Sequence, residues 1–279
     1  NVRALVAVPD RVAPPGGFPI LVANHGFHPD PPRYGITADG VQSRPGDYYR
    51  AIPALFTAEG FLVVMPDYRG HNISEGLEYT GGFLATLYYT RDVLALLAGL
   101  HSIEQADTEN VFLWGHSLGA EVTLRALLAG DGVKGASLWS PVGGTLWEQA
   151  YHYSRRDSAD PVDDSEEPEA RMAELAADLA RLDHDYDTLS GEPLVHLEYL
   201  QTPLQIHHAR GDEAVPYEWS ERLATELIRH GKDYVFYSYP GDDHLFAGDE
   251  LRLAVERDAA FFKRLISGSA ATGSARGQP

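Results

Sequence analysis

Apolar residues along this chain follow two recurrent patterns. Short unbroken runs at 19–24, 61–65, 111–114, 133–139, 203–209 and 234–239 have the length and continuity of strands buried on both faces. Residues 2–8 alternate more loosely and read as a further strand. Between them lie longer stretches with apolar positions three and four apart, the spacing of a helix with one buried face. In 83–100, Leu84, Leu87, Val93, Leu94, Leu97 and Leu100 share such a face, and 120–129, 218–230 and 251–266 also read as helices. Residues 47–59 have helical spacing closed by Gly60, with Pro53 either kinking that helix or marking its start. Short strands alternating with helices predict the α/β class, a mostly parallel sheet covered on both faces. No repeat of the kind that builds a solenoid is present.

The alternation breaks between Pro141 and Leu200. That interval holds a polar, acidic stretch at 155–169 and an amphipathic helix with Met172, Leu175, Ala176, Leu179 and Leu182 on one face. An insertion there would lie over the carboxyl edge of the sheet, where ligands bind in such folds. The expected organisation is a core in two parts, 1–142 and 201–266, a cap at 143–200 and a flexible tail at 267–279. The acidic residues Asp157, Asp160, Asp163, Asp164, Glu166 and Glu167 lack the spacing of a calcium loop and read as a solvated segment.

The candidate chemistry centres on Ser117. The run 111–114 stops at Gly115-His116-Ser117-Leu118-Gly119, and a helical pattern begins at once. A turn this sharp forces the serine into an uncommon backbone conformation, so its neighbours must lack bulk. A serine hydroxyl is a weak nucleophile until a base and an oxyanion site activate it. Asp212 follows the 203–209 strand and His244 follows the 234–239 strand, so both loops leave carboxyl ends of parallel strands and converge above the serine. The order Ser, Asp, His is that of the strand–turn–helix nucleophile. His244 would act as general base, with Asp212 holding its tautomer. Asp242 and Asp243 are competing acids, too close to His244 in sequence to reach it comfortably. The backbone N–H groups of Leu118 and Phe27, the latter in a His25-Gly26-Phe27 turn, are the expected oxyanion donors. Trp139, Trp147 and Tyr151, with Tyr153, are expected to line an aromatic substrate pocket. His116 reads as a packing residue, and His207 and His208 as structural, one facing inward and one outward.

Composition narrows the partners. The 279 residues carry 22 Lys and Arg against 41 Asp and Glu, a net charge of −19, which repels nucleic acid and anionic membranes. There is no cysteine, which excludes disulfides, zinc–thiolate sites and a thiol nucleophile together. No His-Glu-x-x-His pattern occurs, no metal site is expected, and no cofactor is implied. No apolar run is long enough to span a bilayer. The chain opens on Asn1 without a signal-peptide pattern, consistent with a soluble protein, cytoplasmic or exported after signal removal. A monomer and a homodimer are both compatible with the sequence.

His25-Gly26-Phe27, Asp67-Tyr68-Arg69-Gly70 with Ser74-Glu75-Gly76, Gly115–Gly119, Gly211-Asp212 with Val215-Pro216, and His244 together resemble the α/β-hydrolase superfamily. In particular they resemble single-domain serine esterases near the catalytic domain of prolyl oligopeptidase-type peptidases, the dienelactone hydrolases and the feruloyl esterases. The resemblance spans about residues 2–266 and implies an α/β-hydrolase fold, a Ser-His-Asp triad and a small cap after the strand that follows the elbow. Two departures stand out. Dienelactone hydrolases carry a cysteine nucleophile, absent here, and prolyl oligopeptidases carry an N-terminal propeller, which is not expected ahead of Val2. The expected activity is hydrolysis of small or aromatic carboxylic esters through an acyl-enzyme. Serine peptidase or acyl-peptide hydrolase is the alternative, followed by thioesterase or acyltransferase and by a silent binding fold.

Overall fold

The structure, a computed structural model, describes residues 1–33, 49–80, 85–154 and 192–268, together with 176, 177 and 180. Seven strands form one sheet: β1 (Ala4–Ala7), β2 (Phe18–Asn24), β3 (Leu62–Pro66), β4 (Ala106–His116), β5 (Gly135–Trp139), β6 (Leu204–Ala209) and β7 (Tyr234–Tyr239). Their spatial order is β1-β3-β2-β4-β5-β6-β7, with β1 antiparallel to β3 and every other pairing parallel. The expected class, a mostly parallel sheet with helices on both faces, is the fold observed.

Six α-helices are described: α1 (Ala51–Glu59), α2 (Ala85–Gly99), α3 (Leu118–Ala129), α4 (Leu146–Ser154), α5 (Tyr217–Arg229) and α6 (Gly248–Ile266). Alternate strand residues feed two cores because successive side chains point to opposite faces. Ile20, Val22, Val64 and Leu113 join Tyr89 and Val93 of α2, Val122 of α3 and Leu223 of α5. Leu21, Ala23, Phe112 and Trp114 join Ile52 and Phe56 of α1 and Phe261 and Phe262 of α6 on the other face. Pro53 is the third residue of α1, where its missing N–H has no intrahelical partner to lose, so it marks the start rather than a kink.

Three elements differ from expectation. β4 begins at Ala106, earlier than the apolar run, because Ala106 and Asp107 pair with Phe18 and Pro19 before the register shifts at Ile20. α4 lies within the interval where only one later helix was expected. Thr145 and Leu146 donate their N–H groups to Glu148 and Glu192, and Glu148 also takes a bidentate pair from Arg222 of α5. The expected helix around 172–182 and the acidic stretch lie outside the described residues, apart from helical positions 176, 177 and 180. The tail from 269 also lies outside them.

α6 is tied to the sheet by a buried polar cluster. Asp258 accepts Trp139 Nε1 of β5 at 2.8 Å and His207 Nε2 of β6 at 3.0 Å, and the other His207 nitrogen meets the Tyr239 hydroxyl of β7 at 2.7 Å. Asp258, Trp139 and His207 are fully buried. Removing the carboxylate takes the nearer acceptor from two buried groups, leaving Trp139 Nε1 with Ser137 Oγ at 3.0 Å and His207 Nε2 with Gln205 Oε1 at 3.3 Å, and leaves a hole in the core. Asp258→Ala is therefore expected to cost about 3–5 kcal/mol of stability, read as a lowered urea midpoint with the slope unchanged.

Candidate active site

The strand order turns back on itself at β2. The chain runs from β2 to β3 on one side and then returns to place β4 on the other. At such a switch point the two loops leaving neighbouring carboxyl ends diverge and open a crevice. Asn24 and Gly115 pair across it, so the His25-Gly26-Phe27 turn and the Ser117 turn leave the sheet side by side.

Ser117 sits at φ 57°, ψ −124°, between the end of β4 and the start of α3. Its N–H donates to the Trp139 carbonyl at 2.9 Å, so the following strand holds the turn from below. A Cβ on Gly119 would overlap the carbonyl oxygens of Asn24 and His25, which only a glycine avoids. The same close approach lets the Asn24 amide donate to Thr123 of α3 at 2.7 Å. A Cβ built on Gly26 would lie 3.1 Å from that of Ser117, so the His25-Gly26-Phe27 turn rests directly against the serine.

The other two candidate residues meet each other. His244 Nδ1 lies 2.7 Å from Asp212 Oδ2. The Asp212 carboxylate also accepts the N–H groups of Ala214 and Val215 at 2.8 and 3.0 Å, and His208 Nε2 approaches it at 3.2 Å. Burial favours its protonated form, but the hydrogen bonds from His208, His244 and Val215 outweigh burial and hold its carboxyl far below the usual range. Asp242 and Asp243 are exposed. The His244 loop is fastened to the elbow: its carbonyl accepts Ser140 Oγ at 2.9 Å and His116 Nε2 at 3.0 Å, and the His116 and His244 rings stand 4.3 Å apart.

Beside the elbow is a cavity of about 120 Å³, lined in part by Gly26, Phe27, Leu118, His71 and Tyr89. Both candidate oxyanion residues thus border one space. Burial pushes the His71 imidazole down to about 4, so the ring is neutral at physiological pH. The loop behind it is held by Arg69, whose guanidinium and backbone N–H grip Asp92 of α2 at 2.7–3.2 Å.

Trp139 and the two histidines of β6 are placed otherwise than expected. Trp139 is fully buried and bonded to Asp258, so it is a core residue and not a substrate contact. Trp147 and Tyr151 are exposed on α4 and do not border this cavity. α4 instead packs His152 and Tyr153 against Trp219 of α5. Neither His207 nor His208 faces outward: both are buried, one on Asp258 and the other on Asp212 and Ser220. Sequence reading missed this link from His208 to Asp212. Its one trace was the spacing of four residues between them.

A model of the prolyl oligopeptidase family matches residues 47–269, most of the chain. The chain belongs to the prolyl oligopeptidase family. It has the α/β-hydrolase fold, as do its neighbours among solved structures. They include dipeptidyl peptidase 4 from Porphyromonas gingivalis, 19% identical with a TM-score of 0.66, covering 94% of this chain and 33% of that one. An acylaminoacyl peptidase from Pyrococcus horikoshii is 18% identical, TM-score 0.66, covering 94% of this chain and 39% of that one. Est1E from Butyrivibrio proteoclasticus, solved with ferulic acid, is 18% identical, TM-score 0.65, covering 95% and 96%. The chain spans only about a third to two fifths of the length of the peptidases. No described helix is long and apolar enough to cross a membrane, and the described residues hold no His, Asp and Glu cluster suited to a metal.

Asp67, just after β3, is buried, and burial pushes its carboxyl up to about 6 against the partial relief of a 3.1 Å bond from Asn72. A raised acid constant means the folded state holds the proton more tightly, so ionisation at neutral pH opposes folding. Asp67→Asn should stabilise the fold at pH 7 by up to about 3 kcal/mol. The gain should shrink below pH 6 and vanish near pH 3; urea titrations of both proteins across that range measure it.

Proposed function

We propose that the chain is a serine carboxylic ester hydrolase working through an acyl-enzyme, with Ser117 as nucleophile, His244 as general base and Asp212 as its orienting partner. The observation that carries this is the 2.7 Å bond between His244 Nδ1 and Asp212, fastened beside a serine held at positive φ. In that bond the His244 Nδ1–H donates to the Asp212 carboxylate, which keeps this proton on Nδ1 and leaves Nε2 to accept the Ser117 proton. As the Ser117 Oγ–carbonyl carbon bond forms, the carbonyl electron pair moves onto oxygen and the N–H groups of Phe27 and Leu118 receive the charge. Collapse breaks the carbon–alkoxy bond, and the imidazolium returns its proton to the departing alcohol. Water then repeats the cycle on the acyl-enzyme and releases the acid.

The ester reading draws on the cavity, whose lining of glycine, small and aromatic residues with a neutral His71 suits an uncharged acyl group. The family favours a second reading, cleavage of short peptides, since peptidases stand among the structural neighbours. On either reading residues 143–200 act as a cap, and small organic substrates are the partners.

Turnover of 4-nitrophenyl acyl esters, their matching anilides and methyl ferulate separates the two. Esters should be hydrolysed and anilides left largely intact; comparable anilide turnover would transfer the chain to the peptidase side. Ser117→Ala should lose at least roughly 10⁴-fold in kcat, and Asp212→Asn about as much. Ester turnover in Ser117→Ala within tenfold of the parent would remove Ser117 as nucleophile.

A further inference from the structure

A single hydrogen-bonded chain crosses the site from the oxyanion-side loop to the base. The Gly26 N–H meets the Tyr49 hydroxyl at 2.7 Å, that hydroxyl lies 2.6 Å from His116 Nδ1, and His116 Nε2 lies 3.0 Å from the His244 carbonyl. Its ends fix its direction. A backbone N–H can only donate and a carbonyl can only accept. Gly26 therefore donates to Tyr49, Tyr49 passes its own proton toward His116 Nδ1, and the Nε2–H of His116 donates to His244. Only the Nε2–H tautomer of His116 satisfies all three bonds. Tyr49 and His116 are both buried, and burial, aided by nearby His244, holds the His116 imidazole well below its usual range, so the ring stays neutral.

We propose that Tyr49 and His116 are positioning residues that set the oxyanion loop and the general base in register with Ser117. They touch no reacting atom. The loop after β2 and the loop after β7 come from strands separated by three others in the sheet, and this chain joins them through the residue preceding the nucleophile. A small misplacement of either loop costs rate without weakening ground-state binding, because the Phe27 N–H and His244 act mainly on the developing oxyanion and the moving proton.

This inference rests on Ser117 being the nucleophile, and the test keeps the two apart. A fluorophosphonate that phosphonylates active serines is reacted with the parent, Tyr49→Phe, His116→Phe, His116→Gln and the double variant Tyr49→Phe/His116→Phe, with ester kcat and KM measured alongside. Tyr49→Phe and His116→Phe are each expected to lower labelling rate and kcat roughly 10- to 100-fold with KM within twofold. The double variant should be no slower than the worse single variant, since both break one chain. His116→Gln, whose amide offers an acceptor and a donor, should recover part of the rate. Histidine nitrogen shifts should report the Nε2–H tautomer of His116 in the parent. A parent that never labels at Ser117 overturns the nucleophile and this inference with it. A labelled parent whose Tyr49→Phe variant labels equally fast, or single effects that simply multiply, overturns the positioning role alone. If the Phe variants fail to fold, a folded His116→Gln with an unchanged unfolding midpoint decides: a kcat lowered in part with KM within twofold supports the positioning role, and a kcat equal to the parent's overturns it.

Discussion

The geometry of the site depends on how closely the start of α3 lies against the end of β2. At that point a helix backbone approaches a strand backbone with no room for a side chain at Gly119. The closeness places Ser117 and the Gly26 loop in contact and forces the serine to φ 57°, a conformation that an L residue adopts only when its surroundings hold it there. The bonds that hold it come from both neighbours in the sheet: the Trp139 carbonyl of β5 on one side and the Asn24–Thr123 pair at β2 on the other. The crevice between β2 and β4 is therefore a product of strand order and of one missing methyl group.

A second constraint concerns charge. The chain is strongly acidic, yet its candidate orienting acid is buried and surrounded by donors. Asp212 gathers two backbone N–H groups and approaches from two histidines, of which His208 is itself fixed by Ser220 at 2.7 Å and by the Val215 carbonyl at 3.2 Å. Such an acid stays ionised without moving, which is what an imidazole needs from the group behind it. The neighbouring Asp258 uses the same strand for another purpose. His207 and His208 point to opposite faces of β6, one toward the helix that locks the fold and the other toward the site.

Much of this was legible in the sequence, for identifiable reasons. Continuous apolar runs located the strands because both faces of a parallel sheet are buried. The glycines around Ser117 and the order of Asp212 and His244 located the candidate site because topology brings strand ends together. What failed was anything requiring a face. The run containing Trp139 is apolar on both sides, so nothing in it told a pocket residue from a core residue, and the partner that decides, Asp258, lies 119 positions away. The same limit hid His116 and Tyr49, joined across 67 positions. α4 escaped notice because residues distant in the chain, Glu192 and Arg222, supply its bonds.

The Asp258 cluster also bears on the order in which the protein is made. Synthesis delivers Ser117 and the loop after β2 before β5, and His244 and α6 after β7. Until Asp258 has emerged, β5, β6 and β7 lack the carboxylate that joins Trp139, His207 and Tyr239 into one buried group. Ser117 and the loop after β2 are thus made well before the elements that complete the sheet around them. On the proposed triad, chain order alone separates the making of Ser117 from the making of His244.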